Sequence, residues 1–291
     1  MQDSVAIIGF FDGVHLGHSF VINQLRQVAA ANMMQSVIIT FSNHPLQVLC
    51  HAAPPLLTTT DERQKRLLET GVDKLIILPF EDIHQLTAMQ FMQRLYDDYA
   101  VRVLLLGYDH RFGSDRLTTF SQYKDRADRV GMKVVRLEAF TRQNEHISST
   151  HIRQLLLDGQ VEAANRLLGY EFGITGVVEH GKGIGRSIGF PTANLRVEPQ
   201  KLIPMDGVYE VRVIEIAGCK IVKKGLLNIG TNPTVGGSER TVELFIVDYE
   251  GDLYGSQVSL QLQHFLRREK RFDSIVALNE QMQRDLDQIS T

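Results

Sequence analysis

The sequence predicts an α/β protein in two parts: a parallel-sheet domain, then a small antiparallel β-barrel of six strands with a C-terminal helix. Three observations predict it. In the first half, short apolar runs alternate with helical patterns, the signature of βαβ units. From residue 173 glycines become frequent and the runs alternate apolar with polar, as in a small barrel. The 291 residues fit about two domains.

The elements follow in order. Apolar runs at 5–11, 36–41, 74–78, 101–106 and 133–137 read as buried strands. Helical patterns at 18–31, 61–70, 87–99 and 121–130 separate them. Two short helices follow at 150–157 and 161–168, with Gly169 as the C-cap of the second. The boundary is placed between residues 1–170 and 171–291. Beyond it, alternating runs at 207–216, 220–228, 241–247 and 257–265 supply barrel strands. A last helix over 274–286 carries Ile275, Leu278, Met282 and Leu286 on one face, a stripe for core packing.

Composition excludes several classes. A net charge of −3 gives no nucleic-acid or anionic-membrane surface. No apolar stretch reaches the length of a spanning helix. No basic region precedes the first run and Asp12 ends it early, so it reads as a strand and not a signal peptide. Cys50 and Cys219 stand alone, with no disulfide framework. A cytoplasmic protein with small-molecule substrates, monomeric or weakly homo-oligomeric, is expected.

The chemistry begins at Gly9-Phe10-Phe11-Asp12-Gly13-Val14-His15-Leu16-Gly17-His18. This is a strand, a tight turn and the start of a helix, where free N–H groups and the helix end suit a phosphate. Two imidazoles there can donate to a phosphoryl group as its charge grows. The pattern points to nucleotidyl transfer. A chance pair on a helix face is the plainer alternative. Half a metal site is a weaker one, because no cysteine or carboxylate lies at ligand spacing.

Three further segments belong at the same strand ends, where open α/β sheets bind ligands. Thr40-Phe41-Ser42-Asn43-His44-Pro45 follows the second strand and reads as a polar turn or a ligand contact. Gly107 and Gly113 bracket Asp109 and Arg111 after the fourth. Asp109 suits a substrate hydroxyl or ring nitrogen, and Arg111 a phosphate or plain solvent. Ser148, Ser149 and Thr150 are natural N-cap residues, and Arg153 sits in the first turn behind them. A cation there opposes the helix dipole, which a nearby anion such as a triphosphate justifies.

In the second half the block 181–195 is densest. Gly181, Gly183, Gly185 and Gly189 make a pliable loop, and Lys182 and Arg186 give it positive charge. Its spacing is not that of a Walker loop. After Pro191, Thr192 offers a hydroxyl to Mg²⁺, and Asn194 an amide to the metal or a phosphate. A turn-rich loop opens at Asn228. Glu243 alternates with Val242 and Leu244, so it faces away from them, as a solvated residue or a general base. Arg267 follows the last strand.

Together these motifs resemble the prokaryotic bifunctional riboflavin kinase/FAD synthetases over nearly the whole chain. The resemblance implies a Rossmann-like nucleotidyltransferase domain ahead of a riboflavin kinase barrel. It implies that ATP phosphorylates riboflavin to FMN in the barrel and adenylylates FMN to FAD in the first domain. It further implies that His15 and His18 stabilise the reacting phosphates of ATP. Gly9, Asp12, Gly17, His44, Asp109, Arg111 and the segment Ser148 to Arg153 complete the ATP and FMN site. In the barrel, Thr192 and Asn194 hold Mg²⁺–ATP and Glu243 activates the terminal ribityl hydroxyl. Gly181, Lys182, Gly183, Arg186, Pro191, Asn228 and Arg267 bind ATP or flavin. Three positions depart from the family: Phe10 replaces an asparagine, His110 often a phenylalanine, and His151 commonly an arginine. The alternative is an active kinase whose first domain binds flavin with impaired or no catalysis.

Overall fold

The structure, a computed structural model, describes residues 2–107, 111–138, 147–180, 189–231 and 240–290. It divides into two compact units, Met1–Ser149 and Thr150–Thr291.

The first unit holds five parallel strands in the order β3-β2-β1-β4-β5. They are β1 Ser4–Ile8, β2 Gln35–Phe41, β3 Lys74–Leu78, β4 Val101–Leu106 and β5 Lys133–Arg136. Between them run α1 Leu16–Ala31, α2 Pro45–Cys50, α3 Thr60–Glu69, α4 Ala88–Tyr99 and α5 Phe120–Val130. The strands lack sequence alternation because both faces are buried. Ala6 and Ile8 pack with Phe91, Met92 and Leu95 of α4 and with Tyr123 of α5. Val5 and Ile7 pack on the other side with Ile22 and Leu25 of α1 and Leu67 of α3. Each of the buried Val, Ile, Leu, Met and Phe side chains among these contributes roughly 1.5–3 kcal/mol. Chain order reverses on either side of β1, so ligands are expected at its carboxyl end.

Two local differences from the sequence reading matter. β1 stops at Ile8 and not at residue 11, because Phe11 enters the left-handed region (φ 56°) and a 3-10 turn, Asp12–Val14, follows. The polar turn after β2 continues into α2, which starts at Pro45 with His44 as N-cap.

The second unit opens with α6 Ser149–Leu157, which starts at the junction, and α7 Val161–Leu168. β6 Gly173–Glu179, β7 Ala193–Val197, β8 Gly207–Ile216, β9 Cys219–Gly230, β10 Thr241–Ile246 and β11 Gln257–Arg267 close into a barrel ordered β10-β7-β6-β11-β8-β9. The units meet between Ser149 and Thr150, ahead of the 170/171 boundary expected from sequence. The reason is α7. Asn165 on it donates to Leu262 O (2.9 Å) and accepts from Phe172 N (2.8 Å), and Glu162 pairs with His264 of β11 (3.0 Å).

Helix α8, Ile275–Ser290, ends the chain's regular structure. Ile289 packs with Val208 and Leu226, joined by Phe245 and Leu286, on the outside of the barrel. The expected stripe is shifted: Ile275 is exposed, and Asp285 and Ile289 are the buried positions. Among the described residues no helix is long and apolar enough to cross a membrane.

Candidate active sites

In the first unit the site is a turn. β1 delivers the chain to Gly9, whose N–H still donates to Ile39 O (3.0 Å). A Cβ on Gly9 would lie 2.8 Å from the Phe11 ring, so the tight exit needs glycine here. Asp12 is buried, and its carboxylate accepts Leu57 N, Thr58 N and the Thr58 hydroxyl at 3.0–3.1 Å. Gly13 N in turn donates to the Thr58 hydroxyl (3.1 Å). These bonds give Asp12, proposed from sequence as a ligand contact, the task of pinning the turn. Val14 also has positive φ (37°), a strained setting for a β-branched residue.

His15 caps α1: its Nδ1 accepts His18 N at 3.3 Å. In the neutral ring this leaves the proton on Nε2, a ready donor. The His15 and His18 rings stack 3.7 Å apart, and His18 meets Phe11 edge-on at 5.3 Å. Gly17 makes the stack possible, since a Cβ there would sit 3.2 Å from the His15 ring. Burial, and then the neighbouring His15, hold the His18 pKa well below the usual histidine value. His18 is therefore an uncharged imidazole at neutral pH. Its buried Nδ1 has no hydrogen-bond partner among the described residues.

Other predicted residues arrive at this turn. The Ser149 hydroxyl donates to Asp12 O (2.9 Å), and Ile147 O lies 3.8 Å from a Cβ built on Gly17. Half-buried Ser148 stands between them in sequence. Thr40 of β2 donates to Phe10 O (3.2 Å). His44 accepts Leu46 N (3.1 Å) and meets the Phe10 ring edge-on at 4.7 Å. Thr150 and Arg153 lie on α6 in the second unit. Arg111 is exposed, beside a segment anchored by Tyr123, whose hydroxyl accepts Phe112 N and donates to Phe112 O (2.9 Å each). Asp109 and His110 lie outside the described residues.

In the second unit the site is a row across strands. Glu243 of β10 pairs with Asn194 of β7 on one side and Asn228 of β9 on the other. Directly paired residues point the same way, so two amides flank one carboxylate. All three are half-buried, whereas Val242 and Leu244 are buried. The Thr241 hydroxyl lies 3.3 Å from both Glu243 Oε1 and Gly230 O. Glu269 packs on Gly230, where a Cβ would fall 2.3 Å from its carboxyl carbon, and it accepts Thr231 N (3.3 Å). Thr192 lies two residues before Asn194, and exposed Pro191 precedes it. Phe190 meets Phe245 edge-on at 5.5 Å.

Arg267, expected from the sequence to bind ATP or flavin, is held by Asp285. Its Nε contacts both Asp285 oxygens at 3.0 Å and its Nη2 donates to Asp285 Oδ2 at 2.7 Å. That bidentate pair tethers α8 to β11. Gly181, Lys182, Gly183 and Arg186 lie outside the described residues.

A family model for FAD synthetase matches residues 1–151, and one for riboflavin kinase matches residues 168–291. The chain belongs to the bifunctional riboflavin kinase/FMN adenylyltransferase family. A relative from Escherichia coli (strain K12) bearing that description is 35% identical over 98% of this chain and 91% of its own length. Others are from Listeria monocytogenes, 32% identical over 97% of this chain and 90% of its own, and Bacillus subtilis, 33% identical over 97% and 90%. A solved structure described as a macrolide-efflux protein from Streptococcus pneumoniae has a TM-score of 0.85 and 32% identity, over 98% of this chain and 93% of that one.

Within this family frame, three residues escaped the sequence reading. Thr58 locks Asp12, Glu269 braces Gly230, and Arg63 lies buried against Phe10. Thr59-x-x-Glu62 opens α3 as a capping box, a signal the sequence does carry. That cap fixes where α3 begins, and hence where Arg63 falls. The other two contacts are long-range and leave no local mark.

Proposed function

We propose that the chain makes FAD from riboflavin in two steps at two separate sites. The observation that carries the first step is the row Asn194–Glu243–Asn228. Glu243 takes the proton of the terminal ribityl hydroxyl of riboflavin. That oxygen bonds to the γ-phosphorus of ATP, the bond to the bridging oxygen breaks, and ADP leaves with FMN formed. Asn228 orients the substrate beside the base. Thr192 and Asn194 are oxygen donors and would hold Mg²⁺, a hard cation that prefers oxygen ligands. When bound, Mg²⁺ neutralises the phosphates.

In the second step a phosphate oxygen of FMN bonds to the α-phosphorus of another ATP, and pyrophosphate leaves. His15 and His18 donate to the phosphates, and the start of α1 presents free N–H groups. They supply directed hydrogen bonds, so the work is positioning and charge stabilisation. Ser148 and Ser149 support the same turn from the other side.

The test is one incubation of the protein with riboflavin, ATP and Mg²⁺. FMN and ADP appear first, then FAD and pyrophosphate. No FMN would refute the kinase assignment. A second reading, a kinase whose first domain binds flavin without turnover, is favoured by one observation: Phe10, in place of the family's asparagine, lies against the Arg63 guanidinium. FMN with no FAD would select it.

A further inference from the structure

Arg63 of α3 is wholly buried, with 0% of its surface exposed. Its Nη2 donates to Phe41 O (2.8 Å) at the carboxyl end of β2. Its guanidinium carbon lies 4.0 Å from the centre of the Phe10 ring, just past the carboxyl end of β1. The cation thus sits at the edge of the sheet where ligands bind. Its Nε and Nη1 have no hydrogen-bond partner among the described residues. No carboxylate pairs with it among the described residues; Asp12, nearby, has its oxygens turned to Leu57 and Thr58. Burial lowers the guanidinium pKa to about 10, with Asp12 opposing that shift, so the group stays charged at neutral pH.

A buried cation with two unpartnered nitrogens is costly, and such costs persist where function uses them. The group against it is an aromatic ring at the edge of the core. Phe10 is half-buried, with His44 at its edge.

We propose that Arg63 is a phosphate-binding residue of the adenylyl-transfer site, shielded by the Phe10 ring until the ATP triphosphate displaces it. The proposal rests on the reading of this turn as a nucleotidyl-transfer site, but its test does not need turnover.

The probe is inorganic pyrophosphate, titrated calorimetrically into the full chain. R63M weakens binding at least about tenfold, the scale of a charge-assisted hydrogen bond. F10N, which removes the shield, tightens it, and F10N/R63M loses that gain. Riboflavin kinase activity of R63M, measured alongside, stays at the wild-type rate and reports that the second unit is intact. If R63M fails to fold, F10N alone decides: binding no tighter than wild type overturns the proposal. Wild-type affinity in folded R63M overturns it as well. In FAD synthesis the KM for ATP rises in R63M while that for FMN holds; the reverse outcome would assign Arg63 to the FMN phosphate and overturn the choice of ATP. A wild-type protein that binds pyrophosphate but forms no FAD would refute the nucleotidyl-transfer reading and leave the Arg63 contact standing.

Discussion

The two sites are built by opposite means. In the first unit the key side chains are near neighbours in the chain, and local geometry presents them: a strand end, a left-handed residue, a helix cap. In the barrel they come from β7, β9 and β10, and only strand register makes them neighbours. A turn of this kind depends on its props, here Asp12 with Thr58 and Ser149 with the Asp12 carbonyl. A register row depends on the whole closed sheet, because a one-residue slip would turn Glu243 inward. The contrast teaches that the first site should be easy to detune piecemeal, and the second hard to detune without removing its chemistry.

The sharpest way to break the comparison is Glu243→Gln. FMN formation should fall by roughly 10²–10⁴-fold, the scale of a general base, while conversion of supplied FMN to FAD continues. Loss of both activities in a folded variant would mean that the sites are not separate. His18→Ala should act in mirror image, lowering FAD formation by about 10²-fold with FMN output unchanged. Normal FAD output from that variant sinks the phosphate role.

Effects on stability come next. Asp12→Ala leaves Leu57 N and Thr58 N without their buried acceptor, at about 1–3 kcal/mol for each unsatisfied group. Thermal unfolding should show the first unit weakened and FAD synthesis lost with it, while the kinase survives. An unchanged transition would show that the turn holds itself. Arg267→Ala should lower the stability of the second unit by a similar amount, since it leaves the Asp285 carboxylate, with only 4% of its side chain exposed, without its cation and with the Gln281 amide as its remaining donor among the described residues. A large rise in KM for riboflavin or ATP with no loss of stability would return Arg267 to ligand binding.

The smallest effect is on pH. The folded protein holds the His18 pKa well below the ordinary 6.5, so the unfolded chain binds the extra proton first as acidity rises. Stability from this group is therefore full at neutral pH and declines as pH falls below about 6.5. His18→Gln should flatten that slope in a comparison of unfolding midpoints at pH 7 and pH 5.5. An equally steep slope in the variant would place the acid sensitivity elsewhere.

Much was legible in the chain. The five apolar runs of the first half became β1 to β5, because a sheet covered on both faces demands uninterrupted apolar residues. The H-x-G-H turn was legible because cap and ligand chemistry lie within four residues. The early end of β1 was not, since Phe11 adopts a conformation that sequence alone does not favour. Nor was the place of α7, which rests on Asn165 and Glu162 reaching β11 about a hundred residues later.

By itself, the sequence determined the two fold classes and the histidine turn, because periodicity and turn chemistry are written locally. Tertiary structure alone decided which amides flank Glu243, what Asp12 and Arg267 hold, and that a buried arginine waits under Phe10. Those outcomes depend on register and on the meeting of distant segments, and neither leaves a local trace in the chain.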